Sequence, residues 1–165
     1  MALDDMQLLQ VQILVNLVAW SSLAIAFARP RLAELDGRRA LRWLIAPQMF
    51  RVIGMTLLAS NVAGPGLPAA FRERVATGDF ITSLLAIITF AALSLRGRVG
   101  VVLAALTTLV GLADIGINLV NGMRVHAAEH LQSAWFVVSI VVPLMIVAHV
   151  AAIGRLVQRA TWVRA

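Results

Sequence analysis

The sequence predicts an all-α fold: a polytopic membrane protein built as a bundle of five transmembrane helices, with the N-terminus outside and the C-terminus inside. Three observations carry that expectation. Hydrophobic residues make up 61% of the 165 positions, more than a soluble domain can cover, where about 45–50% is usual even with glycine counted. The charged residues, 13% of the chain, gather into short clusters. Between the clusters lie five runs of about 20–24 residues with almost no charge, each long enough to cross roughly 30 Å of hydrocarbon at about 1.5 Å per residue. A chain of this length is expected to form one domain, residues 1–165. With no cysteine, it has no disulfide, no thiolate chemistry and no cysteine-ligated metal or cluster.

The helices are expected at about 6–28, 41–63, 77–95, 99–122 and 131–153, from runs of apolar residues bounded by breakers. The breakers are Arg29-Pro30-Arg31 through Gly37, Gly64-Pro65-Gly66-Leu67-Pro68, Arg96-Gly97-Arg98, and Asn121-Gly122 leading into the polar stretch up to His130. Pro47 and Pro143 fall inside helices. The longest loop is expected near 64–76, with Arg72-Glu73-Arg74 forming a short interfacial turn.

Orientation follows from arginine, which accounts for all 14 basic residues. One side of a five-crossing bundle collects Arg29, Arg31, Arg38, Arg39, Arg42, Arg96, Arg98, Arg155, Arg159 and Arg164. The other has Arg72, Arg74 and Arg124. Positive charge is retained on the cytoplasmic side, so the first group lies inside. The acidic Met1-Ala2-Leu3-Asp4-Asp5 start lacks the basic region of a signal peptide and is expected to be exported uncleaved. The formal charge of +6 is then a topology signal. No basic face interleaved with aromatics points to nucleic acid. The stretch from Arg155 to Ala165, with Trp162 among its apolar residues, fits a basic tail on anionic lipid.

Arg51 is the residue a membrane should reject, since a central arginine costs about 2.5–3.5 kcal/mol on the insertion scale. It needs a partner. From the expected helix centres, Arg51 lies at about the midplane, Asp114 roughly 5 Å outward and Asp79 roughly 10 Å outward. An arginine side chain spans such a distance, so Arg51 is expected to bond one or both carboxylates. In the fourth helix Gly100, Ala104, Thr107, Gly111, Asp114, Asn118 and Asn121 recur at steps of four and three, which places them on one stripe. The small inner half fits helix packing, and the polar outer half fits a cavity wall. Gln12 and Asn16, with Trp20 a further turn inward, and Asp79 with Ser83 offer more polar groups at outer depth. Gln12, Asn16, Arg51, Asp79, Asp114 and Asn118 are therefore expected to line a ligand-binding or proton site opening to the outer face, walled by the first four helices.

His149 is expected roughly 10 Å inward of that site, bonded to Gln48 or a backbone carbonyl or serving a proton relay. These two form a secondary pair of candidates. His126 and His130, with Glu129 between them, have i, i+4 spacing, yet two ligands do not make a metal site. Neither a metal nor a cofactor is expected.

Arg51 with Gly54, Gly66-Leu67-Pro68 followed by Phe71 and Gly78-Asp79, Gly111 with Asp114, and Pro143 with His149 resemble a family of small, uncharacterised bacterial integral membrane proteins, over roughly residues 48–156. The resemblance implies a multi-pass protein of the bacterial cytoplasmic membrane and implies no activity. Arg72, Glu73 and Arg74 depart from it by charging a segment expected to be apolar.

Three function classes remain open on the sequence. The first is ligand binding or proton-coupled transport of a small molecule, with Arg51 and two carboxylates as the centre. The second is a membrane-embedded enzyme acting on a lipid, quinone or isoprenoid, with Asp114 or Asp79 as base. The third is an accessory subunit of a membrane complex. The partners implied are the lipid bilayer, a small apolar or amphipathic ligand, and a second copy of the chain or another membrane subunit.

Overall fold

The computed structural model describes residues 3–95 and 97–162. All regular secondary structure among the described residues is helical and forms five rods. The first, α1, runs Asp5–Leu23 and continues without a break through a π turn, Ala24–Ala28, and a last helical piece, Arg29–Ala33. The second, α2, is Gly37–Ile45, extended by a 3-10 helix, Ala46–Leu58. Then come α3, Ala69–Ala92, and α4, Val99–Arg124. Two short 3-10 turns, Ala127–His130 and Gln132–Ala134, and a π turn, Val137–Val141, lead into α5, Val142–Trp162. Four rods are long and apolar enough to cross a membrane: Asp5–Ala33, Ala69–Ala92, Val99–Arg124 and Gln132–Gln158.

Both π turns and the long 3-10 stretch lie next to a proline. Proline offers no N–H and its ring crowds the preceding turn. The π turn Ala24–Ala28 shifts the ladder so that the Arg29 N–H donates to Ala24 O, and the chain passes Pro30 still helical. The expected break at Arg29-Pro30-Arg31 is therefore absent, and the first rod reaches Ala33 instead of ending at 28. Pro47 stands at the head of the 3-10 stretch, and Pro143 follows the π turn Val137–Val141.

The 3-10 stretch corrects the expected second helix, which ends at Leu58 and not at 63. Its buried residues are Gln48, Arg51, Gly54 and Leu57, a strict spacing of three. In a 3-10 helix such residues stack on one line, whereas α-helical geometry would spread them around the rod. At about 2.0 Å rise per residue, 13 residues span about 26 Å, against about 20 Å if α-helical. The combined rod Gly37–Leu58 is thus long enough to cross a bilayer core.

The third helix starts at Ala69, eight residues before the expected 77. Arg72, Glu73 and Arg74 lie in its first turns, so the expected long loop shrinks to the Ala59–Pro68 link. Pro68 stands just before the helix, where its restricted φ suits a helix start. Gly97, at φ 126°, takes the left-handed backbone of the tight α3–α4 turn, and Gly100 meets the Ala92 and Leu93 backbone so closely that no side chain fits.

Burial is inverted relative to a soluble protein. Leu14, Val18, Ile25, Trp43, Phe50, Leu109 and Phe136 face outward, while Gln48, Arg51, Thr82, Thr89, Thr107 and His149 are buried. Two apolar clusters cap this polar interior. One joins Leu9, Leu57, Leu67, Ala127, Leu131 and Ala134; the other joins Leu41, Ile45, Ala86, Leu93, Ala104 and Ala152. The second lies at the end where Arg38 Nη1 donates to Leu95 O at 3.0 Å and Arg155 Nη2 donates to Leu32 O. These bonds bring Arg38 to Leu95 and Arg155 to Leu32 at one end of the bundle. At the opposite end Gly64 N donates to His130 O at 2.7 Å and Ala134 N to Val62 O at 3.1 Å. Arg155 belongs to the continuous helix α5 and not to a separate tail; Arg96 and Val163–Ala165 lie outside the described residues.

Candidate functional site

Arg51 projects from the 3-10 line of α2 into the centre of the bundle and is 4% exposed. Its guanidinium makes the pairings expected of a buried central charge. Nε donates to Asp79 Oδ1 at 2.7 Å, and Nη2 contacts the same oxygen at 2.5 Å. Nη2 also donates to Asp114 Oδ2 at 2.5 Å. Nη1 donates to the backbone carbonyl of Gly111 at 2.9 Å. The planar fork reaches two helices at once, which a lysine ammonium could not do with the same geometry. Nearby, Ser83 Oγ donates to Met49 O at 2.5 Å, fixing α3 against the 3-10 stretch.

Three glycines make the space for these groups. A methyl on Gly54 would overlap the Asp79 carboxylate, one on Gly78 would overlap the Asp114 carboxylate, and one on Gly111 would overlap the His149 imidazole and lie 3.1 Å from Arg51 Nη1. Each polar side chain is packed close against a glycine of a neighbouring rod. The α4 stripe therefore combines Gly111 as contact surface with Asp114 three residues further along the helix. Further along the stripe, Thr107 Oγ1 donates to Leu103 O at 2.8 Å and receives Thr89 Oγ1 at 2.7 Å.

His149 is placed differently from the expectation. It lies against Gly111, the residue whose carbonyl accepts from Arg51, so imidazole and guanidinium are neighbours across one glycine. The expected inward offset of roughly 10 Å assumed that the fifth helix centres near residue 142; the observed apolar rod runs Gln132–Gln158 and centres nearer His149. His149 is fully buried and neither ring nitrogen has a hydrogen-bond partner, in place of the expected bond to Gln48 or a carbonyl. Gln48 is instead held by Nε2 donating to Met145 O at 3.2 Å, and its Oε1 is buried without a partner.

Gln12 and Asn16 are engaged elsewhere. Gln12 Oε1 accepts from Trp135 Nε1 at 2.6 Å, Asn16 Nδ2 donates to Ser139 O at 2.9 Å, and Trp20 Nε1 donates to Ile140 O at 3.1 Å. In an α-helix the Ser139 carbonyl would receive the N–H of residue 143, and proline has none. Asn16 thus supplies a donor to the carbonyl that Pro143 cannot serve. Asn118 is half-buried with Oδ1 unpartnered.

The chamber expected between the first four helices is replaced by a cavity of about 30 Å³ between Arg51 and Asp79 on one side and Ile115, Val141 and Met145 on the other. Its wall comes from α5 and the π turn before it, not from α1. The volume suits about two water molecules and is about tenfold below that of a pocket for a small organic ligand. Among the described residues no group of three His, Asp or Glu side chains is arranged to hold a metal. His126 and Glu129 form an exposed contact at 3.7 Å. The ring of His130 covers Gly66.

Two further signals in the sequence mark the expected centre: the three-residue spacing of Gln48, Arg51 and Gly54, and the glycines at 78 and 111, one and three residues before an aspartate. No curated protein and no solved structure matches the chain. The model of a family described as a domain of unknown function, DUF8737, matches residues 8–157, and the chain belongs to that family.

Proposed function

We propose that the chain is an integral membrane protein forming one unit with five crossings, N-terminus outside, in a bacterial cytoplasmic membrane, and that its Arg51–Asp79–Asp114 centre with His149 is a proton-binding site of the kind proton-coupled transport requires. The observation that carries this reading is that one guanidinium is shared by two carboxylates. With all three groups ionised the centre holds one negative charge too many, and an uncompensated charge in a low-dielectric interior is costly. A single proton balances it. The adjacent cavity favours a proton over a metal cation, because apart from Arg51 and Asp79 its lining is aliphatic and offers too few oxygens for a hard cation. His149, with two unpartnered ring nitrogens next to Arg51, is suited to pass a proton, since neutral imidazole carries one donor and one acceptor.

The arginine asymmetry supports the orientation. Of the arginines whose side chains are described, seven (Arg29, Arg31, Arg38, Arg39, Arg42, Arg98 and Arg155) belong to one end, and Arg72, Arg74 and Arg124 to the other.

A second reading, a structural clamp in a subunit of a larger complex, is favoured by the bonding of all three guanidinium nitrogens of Arg51. Protein reconstituted into liposomes with an internal pH dye separates the two. The proton reading expects an imposed pH gradient to decay faster with the wild type than with Asp114→Asn protein of equal folded content. Equal decay supports the clamp.

A further inference from the structure

A second site lies away from the centre, at the arginine-rich end. Arg39 and Arg42 are three residues apart on α2 and share one face. Together with Trp43, Ala46 and, across from them, Phe90 of α3, they line a groove of about 320 Å³. That volume lies within the range of small-ligand sites. The Arg42 guanidinium is stacked on Phe90, 4.3 Å from the ring centroid, so its position is fixed by packing. Its Nε is buried without a hydrogen-bond partner. Arg39 is 74% exposed at the side chain and uses Nε on Asp36 at 3.2 Å. Trp43, 67% exposed, stands beside both arginines.

The arrangement is amphipathic in one direction. Two cations sit in the first turns of α2, near the water interface of a membrane-spanning rod, and the aromatic and small residues follow. Basic residues outnumber acids at this end of α2, with Arg38, Arg39 and Arg42 in its first turns against Glu34 and Asp36 just before it. Basic pockets between helices at this level suit lipid headgroups, and arginine pairs a phosphate through two parallel bonds. We propose that this groove binds an anionic phospholipid, its phosphate held by Arg39 and Arg42 and its first acyl carbons lying on Trp43 and Phe90. The proposal rests on the chain spanning a membrane and not on the proton reading of the Arg51 centre, which lies on other residues.

Trp43 provides the readout. Detergent-solubilised full-length protein is titrated with brominated phosphatidylglycerol or brominated phosphatidylcholine, and the quenching that disappears in Trp43→Phe is assigned to the groove. The proposal expects phosphatidylglycerol to bind at least about tenfold more tightly than phosphatidylcholine. Arg39→Gln with Arg42→Gln should abolish that preference, and Arg72→Gln with Arg74→Gln at the opposite end should keep it. Arg39→Gln alone, at an exposed side chain, gives an intermediate loss and serves if the double variant does not fold. Equal affinity for the two lipids, or an unchanged preference in the Arg39→Gln and double variants, overturns the proposal. Inorganic phosphate displacing the lipid at the lipid's own affinity overturns it in favour of a free anion.

Discussion

Gly54 and Asp79 are in direct contact: the carboxylate of one occupies the space that a side chain on the other would fill. The ion pair at the centre therefore depends on a residue that carries no functional group. Gly78 stands in the same relation to Asp114, and Gly111 to His149.

Alanine at any of these three positions should be destabilising. A methyl forced against a packed polar group costs about 1–3 kcal/mol, and at Gly54 or Gly78 it also pushes a carboxylate off Arg51. Gly116 and Gly154 have open space where a Cβ would stand, so alanine there should be neutral or stabilising by up to about 1 kcal/mol. Thermal unfolding of the five variants in one detergent checks the contrast, and a uniform response would show that the glycines are not spacers.

Arg51→Leu should cost about 3–5 kcal/mol, because it leaves two part-buried carboxylates without their cation. Arg51→Lys should recover only part of that loss, since an ammonium cannot reproduce the fork. Adding Asp79→Asn and Asp114→Asn to Arg51→Leu should restore stability toward the wild type. Denaturant unfolding of the series measures it, and a triple variant no more stable than Arg51→Leu contradicts the pairing.

The pairing of Arg51 with two aspartates was legible in the sequence because a charge in mid-bilayer demands a partner and only two acids lie at suitable depth. The glycine contacts were not, since close approach of two rods is a property of their packing and not of either rod alone. Gln12 and Asn16 show a different limit. Their i, i+4 spacing marked a polar face correctly, but their partners lay more than a hundred residues away, Trp135 Nε1 for Gln12 and the Ser139 carbonyl for Asn16. The end of the first helix was misplaced because Arg29-Pro30-Arg31 reads as a breaker, whereas a π turn carries the rod past Pro30. The strict spacing of Gln48, Arg51, Gly54 and Leu57 was the visible trace of the 3-10 geometry.

Asn16 and Pro143 should be energetically coupled. Asn16→Leu removes the donor to Ser139 O and should cost about 0.6–2 kcal/mol, the range of interhelical hydrogen bonds in membranes. In a Pro143→Ala background, where residue 143 regains its N–H, the same substitution should cost less. A double-mutant cycle gives the coupling directly. Strict additivity would mean that Asn16 does not serve the proline defect.

Cysteine substituted at Leu3 and at Leu95 should react with a membrane-impermeant maleimide from opposite faces, the first from outside and the second only after permeabilisation. Labelling of both from outside would contradict the arginine-based orientation.

The central claim is that one proton neutralises the Arg51–Asp79–Asp114 centre with His149. Infrared spectroscopy of the protein at neutral pH, with histidine isotopically labelled, reports carboxylic acid and imidazolium in one spectrum. The account predicts a single protonated group, either a carboxyl band removed by Asp79→Asn or Asp114→Asn, or an imidazolium signal removed by His149→Gln. A spectrum with both aspartates ionised and His149 neutral would contradict it.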